Sequence, residues 1–409
     1  MRAVIGDLLV DANGIKKDPV VLVEDERIIK VGSRGSLTVP SDAEIIDAKG
    51  TVIMPGMIDC HVHFTGSKES APGPAKFTER FETRLIRAAV VEARKLLEAG
   101  FTSVMDTGGL IGLQVRNAIN EGIVAGPRVM AAGRYISVTG GHGDTPYMPL
   151  EWVKEGRPMG WGMDGRIADG VDECMRAVRE QLREGVDFIK ICTSAGGGGE
   201  IPEYTLEEIT AMVNIAHSWG RKVVVHCYIP EGIRRSVLGG VDIVTHGNLA
   251  DEASIKLMQE HGTIVVPTMS IYYAFSQRRE GLRQQPTSQR RPSRVATTLF
   301  DDIRRIYDSK LILAMGTDTM GSPLAFGKNA LELELYVEKV GLSPIEAIKI
   351  GTLNGAIAMG RKDLGTLEAG NLADIIAVKE NPLDNIKSLQ DEKNVKLVMK
   401  GGDIYKNNL

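Results

Sequence analysis

The sequence predicts an α/β protein: a (β/α)8 TIM-like barrel with a small β-sandwich domain formed by both termini. Two observations carry this prediction. In the centre of the chain, short apolar, β-branched runs alternate with amphipathic helical stretches, and eight such units over roughly 300 residues are typical of a (β/α)8 barrel. At both ends, short apolar runs alternate with Asp, Gly, Ser and Pro, which indicates antiparallel strands. A doubly wound parallel sheet is the alternative for the central part.

The β-sandwich domain is predicted from residues 1–56 and 360–409. Its strand-like runs are Val20–Val23, Ile28–Val31 and Glu44–Ile46 near the amino end, and Ala373–Val378 and Val395–Met399 near the carboxyl end. Neither end is large enough to fold alone, so we expect the two to combine into one domain.

The barrel is predicted from residues 57–359, where eight runs have the composition of buried parallel strands. These runs are Met57–His63, Thr102–Asp106, Arg128–Gly133, Phe188–Thr193, Lys222–Cys227, Asp242–Gly247, Thr263–Thr268 and Leu311–Asp318. Helices are predicted at Phe77–Ala99, Val171–Gly185, Thr205–Trp219 and Ala253–His261. Thr205 with Glu208, and Ser343 with Glu346, have the form of capping boxes, which mark helix starts.

Two stretches interrupt this alternation and are predicted to be long loops. Residues 139–161 follow the third strand and contain Gly140-Gly141-His142-Gly143. Residues 277–294 follow the seventh strand and carry six arginines against one glutamate. We interpret this arginine-rich segment either as a solvated, mobile loop or as a lid that supplies positive charge to an acidic substrate.

The composition excludes several classes of protein. The chain has 49 Lys and Arg against 53 Asp and Glu, a net charge of -4, so no positive field is available for DNA or an anionic membrane. Its four cysteines form no CxxC pair, which argues against a disulfide framework and favours a reducing compartment. Neither a long apolar run nor a signal-peptide pattern occurs. We expect a soluble, cytoplasmic protein with a small-molecule substrate and no nucleic-acid or membrane partner.

Metal-ligating side chains concentrate at the predicted strand ends. Four of the seven histidines fall there with one lysine and one aspartate: His61, His63, Lys190, His226, His246 and Asp318. Inward-pointing residues at the carboxyl ends of barrel strands converge on the barrel axis, and residues two apart on a strand share a face. Imidazole and carboxylate are ligands that a divalent ion such as Zn²⁺ prefers. These residues therefore predict a site for one metal ion or a pair.

Lys190 lies in an apolar strand, where an unpaired ammonium is costly. Reaction of its amine with carbon dioxide would give a carbamate, an anionic group whose two oxygens can bridge two cations. The alternative is a lysine paired with Asp or Glu.

Several short motifs carry a family resemblance. They are Met54–Asp59 ahead of His61-Val62-His63, Lys190, His226, Thr245-His246-Gly247, Gly316-Thr317-Asp318 and Gly370–Asp374. Together they resemble the amidohydrolase superfamily over nearly the whole chain. The motifs His226-Cys227-Tyr228, Glu231–Arg235 and Val266-Pro267-Thr268 resemble its imidazolonepropionase-like branch, which includes Xaa-Pro dipeptidases and carboxypeptidases acting on Xaa-Arg or Xaa-Lys.

The resemblance implies a binuclear metal centre. His61, His63 and Asp318 would hold the first ion, His226 and His246 the second, and carboxylated Lys190 would bridge them. The implied cofactors are two divalent ions, Zn first with Mn or Co as alternatives, and carbon dioxide as the Lys190 carbamate. A hydroxide bridging the metals would attack the substrate, while Asp318 carries the proton to the departing amine.

Two further residues are expected to contact substrate. His142, in the glycine-rich loop, would stabilise the developing oxyanion or bind a carboxylate, and Tyr228 would donate its hydroxyl to the same groups. The alternatives are a hydrogen bond to the backbone for His142 and a packing role for Tyr228.

We therefore expect a binuclear metal hydrolase that cleaves a peptide-like C–N bond of a dipeptide or N-acyl amino acid. One alternative is a hydrolase of carbamates, ureas, aryl amides or phosphotriesters, since the same metal chemistry serves them all. Another is a non-catalytic amidohydrolase-like scaffold. We also expect a homo-oligomer, because the large surfaces around such barrels often pair.

Overall fold

The computed structural model describes residues 1–66, 79–144, 149–155, 165–195, 201–282 and 294–409. Within these ranges the strands are β1 (Arg2–Asp11), β2 (Gly14–Lys17), β3 (Pro19–Glu24), β4 (Arg27–Ser33), β5 (Glu44–Pro55), β6 (Met57–Val62), β7 (Phe101–Asp106), β8 (Arg128–Ala131), β9 (Tyr135–Ser137), β10 (Gly165–Ile167), β11 (Ile189–Cys192), β12 (Val223–Cys227), β13 (Ile243–His246), β14 (Ile264–Val266), β15 (Ile375–Val378), β16 (Val395–Lys400) and β17 (Asp403–Asn407).

The helices of the same ranges mostly follow the strands of the central region. They are α1 (Phe81–Arg87), α2 (Ala93–Glu98), α3 (Leu110–Asn120), α4 (Leu150–Glu155), α5 (Val171–Arg183), α6 (Leu206–Ser218), α7 (Pro230–Leu238), α8 (Glu252–His261), α9 (Met269–Leu282), α10 (Arg294–Asp308), α11 (Leu331–Glu338), α12 (Pro344–Ile350) and α13 (Leu353–Ala358). A π-helical segment, Ala88–Glu92, joins α1 to α2. None of the described helices is long and apolar enough to cross a membrane.

Both chain ends contribute to one mixed sheet of eight strands, in the order β17-β16-β15-β5-β1-β3-β4 with β2 paired to β1. Strand β1 runs parallel to β5, and β15 joins the other edge of β5 antiparallel, so the carboxyl-terminal strands continue the amino-terminal sheet. Val4, Ile53 and Leu397 are buried together on it. The two layers of a sandwich, and the domain boundaries, stay predictions.

Parallel strands form the centre of the molecule in two sheets, β6-β7-β8 and β10-β9-β11-β12-β13-β14. Seven of the eight predicted runs overlap one of these strands. Phe188 and Val224 lie two residues before Lys190 and His226, on the same side of their strands, and both belong to one buried apolar cluster. Apolar residues thus form a floor beneath the polar strand ends.

The eighth predicted strand, Leu311–Asp318, is wrong as a regular strand. It forms isolated parallel bridges, Val265 with Leu313 and Val62 with Thr319. The left-handed backbone at Asp318 (φ 56°) interrupts a regular ladder. The segment still connects the two parallel sheets, because Ala314 N donates to Val265 O at 3.0 Å and Asp318 N donates to His61 O at 2.7 Å.

The two helix starts predicted from capping-box motifs are confirmed. Thr205 and Glu208 form a complete capping box at α6, and Ser343 Oγ accepts from Glu346 N at the start of α12. The predicted helix at 77–99 is divided by the π-helical segment, and its residues 77–78 lie outside the described ranges.

Both long loops contain helical structure that was not predicted. In the first loop, α4 lies within 139–161, of which 145–148 and 156–161 are outside the described residues. In the second, residues 277–282 continue α9 and Arg294 begins α10, so the segment is not a loop throughout. Residues 283–293, with three of the arginines, lie outside the described ranges. The two interpretations of this segment, a mobile loop or a lid, therefore stay predictions.

Candidate metal centre and active site

His61, His63 and Asp318 meet at the end of β6. The Nε2 atoms of the two imidazoles are 3.3 Å apart, and Asp318 Oδ1 lies 3.5 Å from His61 Nε2 and 3.2 Å from His63 Nε2. One ligand atom from each residue lies within 4.8 Å of the others, so the three could hold one metal ion. We call them the first ligand group.

Backbone atoms and one buried carboxylate orient this first ligand group. His63 Nδ1 donates to Gly108 O at 2.9 Å, which leaves its Nε2 to face the site. Asp59 Oδ1 accepts from His61 N at 3.0 Å and from Thr317 N at 3.1 Å. The fully buried Asp59 therefore connects the strand that carries both histidines to the segment that carries Asp318.

His226 and His246 meet at the ends of β12 and β13. His246 Nε2 and His226 Nδ1 are hydrogen-bonded at 2.8 Å, and Thr268 Oγ1 is hydrogen-bonded to His246 Nδ1 at 2.7 Å. The ring of His246 lies 5.2 Å from that of His61 between centroids, so this second ligand group faces the first.

Lys190 lies beside the second ligand group, 3% exposed. Its Nζ donates to Thr245 Oγ1 at 2.8 Å, and Thr245 in turn donates to Val225 O. No ion pair of Lys190 occurs among the described residues. Burial lowers the pKa of Lys190 to about 8.

The buried imidazoles differ in how readily they take up a proton. Burial lowers the pKa of His246 to about 3, and burial followed by the Lys190 charge lowers the pKa of His61 well below its usual value. Burial also opposes the charged form of His63, but the hydrogen bond and charge of Asp318 outweigh it and raise the pKa of His63. The same contact lowers the pKa of Asp318 against the opposing effect of burial.

The two expected substrate residues lie against the second ligand group. The ring of His142 stacks on that of His226 with centroids 3.9 Å apart, and the ring of Tyr228 stacks on that of His246 at 4.6 Å. His142 is exposed, whereas Tyr228 is buried. The Tyr228 hydroxyl is hydrogen-bonded to that of Tyr272 from α9.

Several site residues were missed from the sequence. Glu203 holds the His142 loop, since its carboxylate accepts from His142 N at 2.7 Å and from Ser137 Oγ at 3.0 Å, and burial raises the pKa of Glu203 to about 7. Asp59, Thr268 and Tyr272 were also missed, although the first two stand within two residues of a predicted ligand or at a predicted strand end. Position next to a strand end is the signal that could have found them.

The backbone at three of these strand ends is left-handed. His246 (φ 69°), Thr268 (φ 55°) and Asp318 (φ 56°) all have positive φ, a conformation that costs non-glycine residues free energy and persists only where surrounding contacts enforce it. His246 ends β13, Thr268 follows the end of β14 by two residues, and Asp318 lies in the segment that bridges β14 and β6.

Comparison with known proteins agrees with this geometry. The model of the amidohydrolase family matches residues 52–405. The chain belongs to that family. Ochratoxinase of Aspergillus niger is 34% identical over 378 residues, which cover 87% of this chain and 76% of that protein. Its crystal structure matches with a TM-score of 0.87 at 30% identity, covering 99% of this chain and 96% of that one.

Two further relatives identify the branch. A crystal structure of a Xaa-Pro dipeptidase with methionine bound in the active site matches with a TM-score of 0.86 at 30% identity, covering 99% of this chain and all of that one. Imidazolonepropionase of Deinococcus deserti is 23% identical over 380 residues, 88% of this chain and 85% of that protein. The predicted family and branch are confirmed, and this amidohydrolase is an enzyme that hydrolyses C–N bonds.

Proposed function

We propose that this amidohydrolase is a binuclear metal-dependent enzyme that cleaves a peptide-like amide bond of a dipeptide or an N-acyl amino acid. The observation that carries the proposal is the meeting of two ligand groups, with the rings of His61 and His246 5.2 Å apart between centroids. Two ions in such a site, about 3.5–4 Å apart, can act on one water and one carbonyl.

The donor atoms fit divalent ions, Zn first and Mn or Co as alternatives. His226 Nδ1 and His246 Nε2 face each other at 2.8 Å, and Thr268 is bonded to the other ring nitrogen of His246. Both facing nitrogens can direct their lone pairs at one ion. We assign His61, His63 and Asp318 to the first ion and His226 and His246 to the second.

Lys190 supports a carbamate bridge between the two ions. Its Nζ lies in a buried setting with a hydroxyl as its hydrogen-bond partner, and Lys190 forms no ion pair in the described part of the chain. Carbamate formation joins the neutral amine nitrogen to the carbon of carbon dioxide and releases one proton to solvent; starting from the ammonium, a first proton leaves to give that amine, so two are released in all. The product replaces a poorly solvated ammonium with an anion that two cations stabilise.

The side chains divide the catalytic work. When bound, the metal pair lowers the pKa of a water toward neutrality and polarises the scissile carbonyl. Asp318, whose low pKa keeps it ionised, takes a proton from the attacking water and delivers it to the amine nitrogen as the C–N bond breaks. Tyr228 and His142 stack on the two imidazoles of the second ligand group, where a phenol O–H or an imidazole N–H can donate to the carbonyl oxygen.

The substrate class is inferred from relatives. One solved relative is a Xaa-Pro dipeptidase and another is ochratoxinase, so dipeptides and N-acyl amino acids are the first substrates to test. In either class the amine leaves as a free amino acid. A neutral or cationic group facing its carboxylate would fit this role, and we assign it to His142, an exposed residue beside the second ligand group.

We also propose that the two parallel sheets close into one (β/α)8 barrel. The bonds that segment 311–319 makes to β14 and β6 support closure on one side. The barrel would bring all six ligand residues to one end. The sandwich layers, the cytoplasmic location and self-association stay predictions.

Metal analysis and a substrate screen test the proposal. Protein produced with Zn²⁺, Mn²⁺ or Co²⁺ in the medium is analysed for metal and assayed on dipeptides and N-acyl amino acids ending in Pro, Arg, Lys or an apolar residue. We expect about two ions per chain, release of the free amino acid, loss of activity with a chelator and recovery with metal.

Fewer than one bound ion per chain, with no activity on any amide, would defeat the enzyme proposal. Two bound ions with activity on carbamates, ureas or phosphotriesters alone would keep the metal centre and replace the substrate class.

A further inference from the structure

A buried carboxylate outside the candidate site anchors the start of α9. Glu332, on the first turn of α11, is fully buried and accepts from Met269 N at 2.9 Å, Ser270 N at 2.7 Å and Ser270 Oγ at 2.6 Å. These N–H groups open α9 and have no partner within their own helix. A side-chain oxygen that accepts from the first N–H groups of a helix satisfies donors that the helix itself cannot, so Glu332 fixes where α9 begins, although burial raises the pKa of Glu332 to about 8.

The start of α9 reaches the second ligand group directly. Thr268 precedes Met269 in the chain, has a left-handed backbone, and is hydrogen-bonded to His246 Nδ1 at 2.7 Å. A shift of Met269 would move Thr268 and hence the imidazole of His246. Glu332 is therefore linked to the imidazole of His246, a proposed metal ligand, through Met269 and the preceding Thr268.

The residue three positions earlier does the same for the first ligand group. Asn329 is fully buried, and its Nδ2 donates to Asp59 Oδ2 at 2.7 Å and to Thr317 Oγ1 at 3.3 Å. Asp59 in turn accepts from the backbone of His61 and of Thr317, which precedes Asp318. Asn329 therefore supports both β6, which carries the two histidines, and the segment that carries Asp318.

These two anchors belong to one turn of chain. Glu332 N donates to Asn329 O at 3.1 Å, so residues 329–332 form a hydrogen-bonded turn at the start of α11. We propose that this 329–332 turn is a positioning element that sets the separation of the two metal ions, with Asn329 acting on the first ion and Glu332 on the second. The inference rests on the proposed binuclear centre.

Cobalt titration tests whether Asn329 and Glu332 act on different metal ions. Metal-free protein is titrated with Co²⁺ alone, with binding followed by visible absorption and by metal content. The two binding steps are assigned with His63→Ala and His246→Ala, each of which should remove one step. We expect Glu332→Gln to weaken the His246-dependent step about tenfold and leave the other unchanged, and Asn329→Ala to do the reverse.

Controls separate positioning from folding. Glu338→Gln makes the same Glu-to-Gln replacement at an exposed position of the same helix and should leave both steps unchanged. Ser270→Ala removes only the 2.6 Å bond to Glu332 and should weaken the His246-dependent step in the same direction if Glu332→Gln does not fold.

The outcomes distinguish the two proposals. Native protein that binds two Co²⁺ ions, with variants that match Glu338→Gln or that weaken both steps equally, would overturn the positioning role and leave the metal centre standing. Native protein that binds no Co²⁺ pair would overturn the binuclear proposal itself, and the inference with it.

Discussion

The two ligand groups of the candidate centre are held in different ways. In the first, the carbonyl of Gly108 orients His63, and the carbonyl of His61 accepts from Asp318 N, so backbone carbonyls contact these ligand residues directly. In the second, side-chain hydroxyl groups contact the ligand residues: Thr268 is hydrogen-bonded to His246, and Thr245 to Lys190. No side-chain substitution removes a backbone carbonyl. We therefore expect mutation to reach the first group only through the supporting side chains of Asp59 and Asn329, whereas in the second group it can remove a hydroxyl bonded to His246 or Lys190 directly.

Replacing Lys190 should break the second group while sparing the first. Lys190→Ala deletes the proposed bridge, so metal content should fall from about two ions to about one per chain. The turnover number kcat should fall at least 100-fold, because a single ion must then both activate the water and polarise the carbonyl. Metal analysis and steady-state kinetics measure both. Lys256→Ala, on the exposed face of α8, is the control. Two ions and full activity in Lys190→Ala would refute the carbamate.

Replacing Thr268 should weaken the second group without dismantling it. Thr268→Val keeps the branched shape and removes the hydroxyl bonded to His246, so affinity for the second ion should fall about tenfold. Competition with a chelating dye measures the affinity of each step. Thr210→Val, which removes a hydroxyl bonded to Leu206 O on α6, should have no effect on metal. Equal losses at both steps would show that the two groups are not independently held.

The smallest expected effect is on how the free energy of unfolding depends on pH. In the metal-free protein the pKa of His246 is lowered by burial to about 3, so the unfolded chain binds a proton below pH about 6.5 that the folded chain does not. The free energy of unfolding should therefore fall as pH drops from 6.5 toward 3. His63, with its raised pKa, has the opposite sign: its contribution is present at low pH and is lost as pH rises through its folded pKa.

Urea denaturation with a chelator at pH 7 and pH 5.5 checks this sign. His246→Gln should reduce the loss of stability between the two values by about 1 kcal/mol. His261→Gln, at the exposed end of α8, is the matched control. An unchanged pH dependence in His246→Gln would mean that the folded protein protonates this imidazole.

Much of the centre could be anticipated because its ligands stand at strand ends. His61, His63, His226 and His246 lie on or beside short apolar runs, and alternation along a strand determines their direction. Glu332 and Asn329 could not be found this way. They lie on a helix start far along the chain, and only the packing of α11 against β6 and α9 brings them near the site.

The limits on the fold have a similar cause. Apolar runs identify strands but not the regularity of their hydrogen bonds, so Leu311–Asp318 is predicted as a strand although it makes isolated bridges. Composition likewise reads the arginine-rich segment as a loop, because an amphipathic pattern is weak there, yet α9 continues to Leu282. Tertiary contact at its first turn, through Glu332, helps fix a helix that local sequence leaves ambiguous.

The positive φ angles of His246, Thr268 and Asp318 have a consequence for protein engineering. Glycine at any of these positions would relieve unfavourable backbone energy, and a search for heat-resistant variants would favour such relief. Each gain would come at a residue that forms part of the proposed metal centre or contacts one of its ligands. This enzyme should therefore gain thermal tolerance from its outer helices and its terminal sheet, while the strand ends resist improvement.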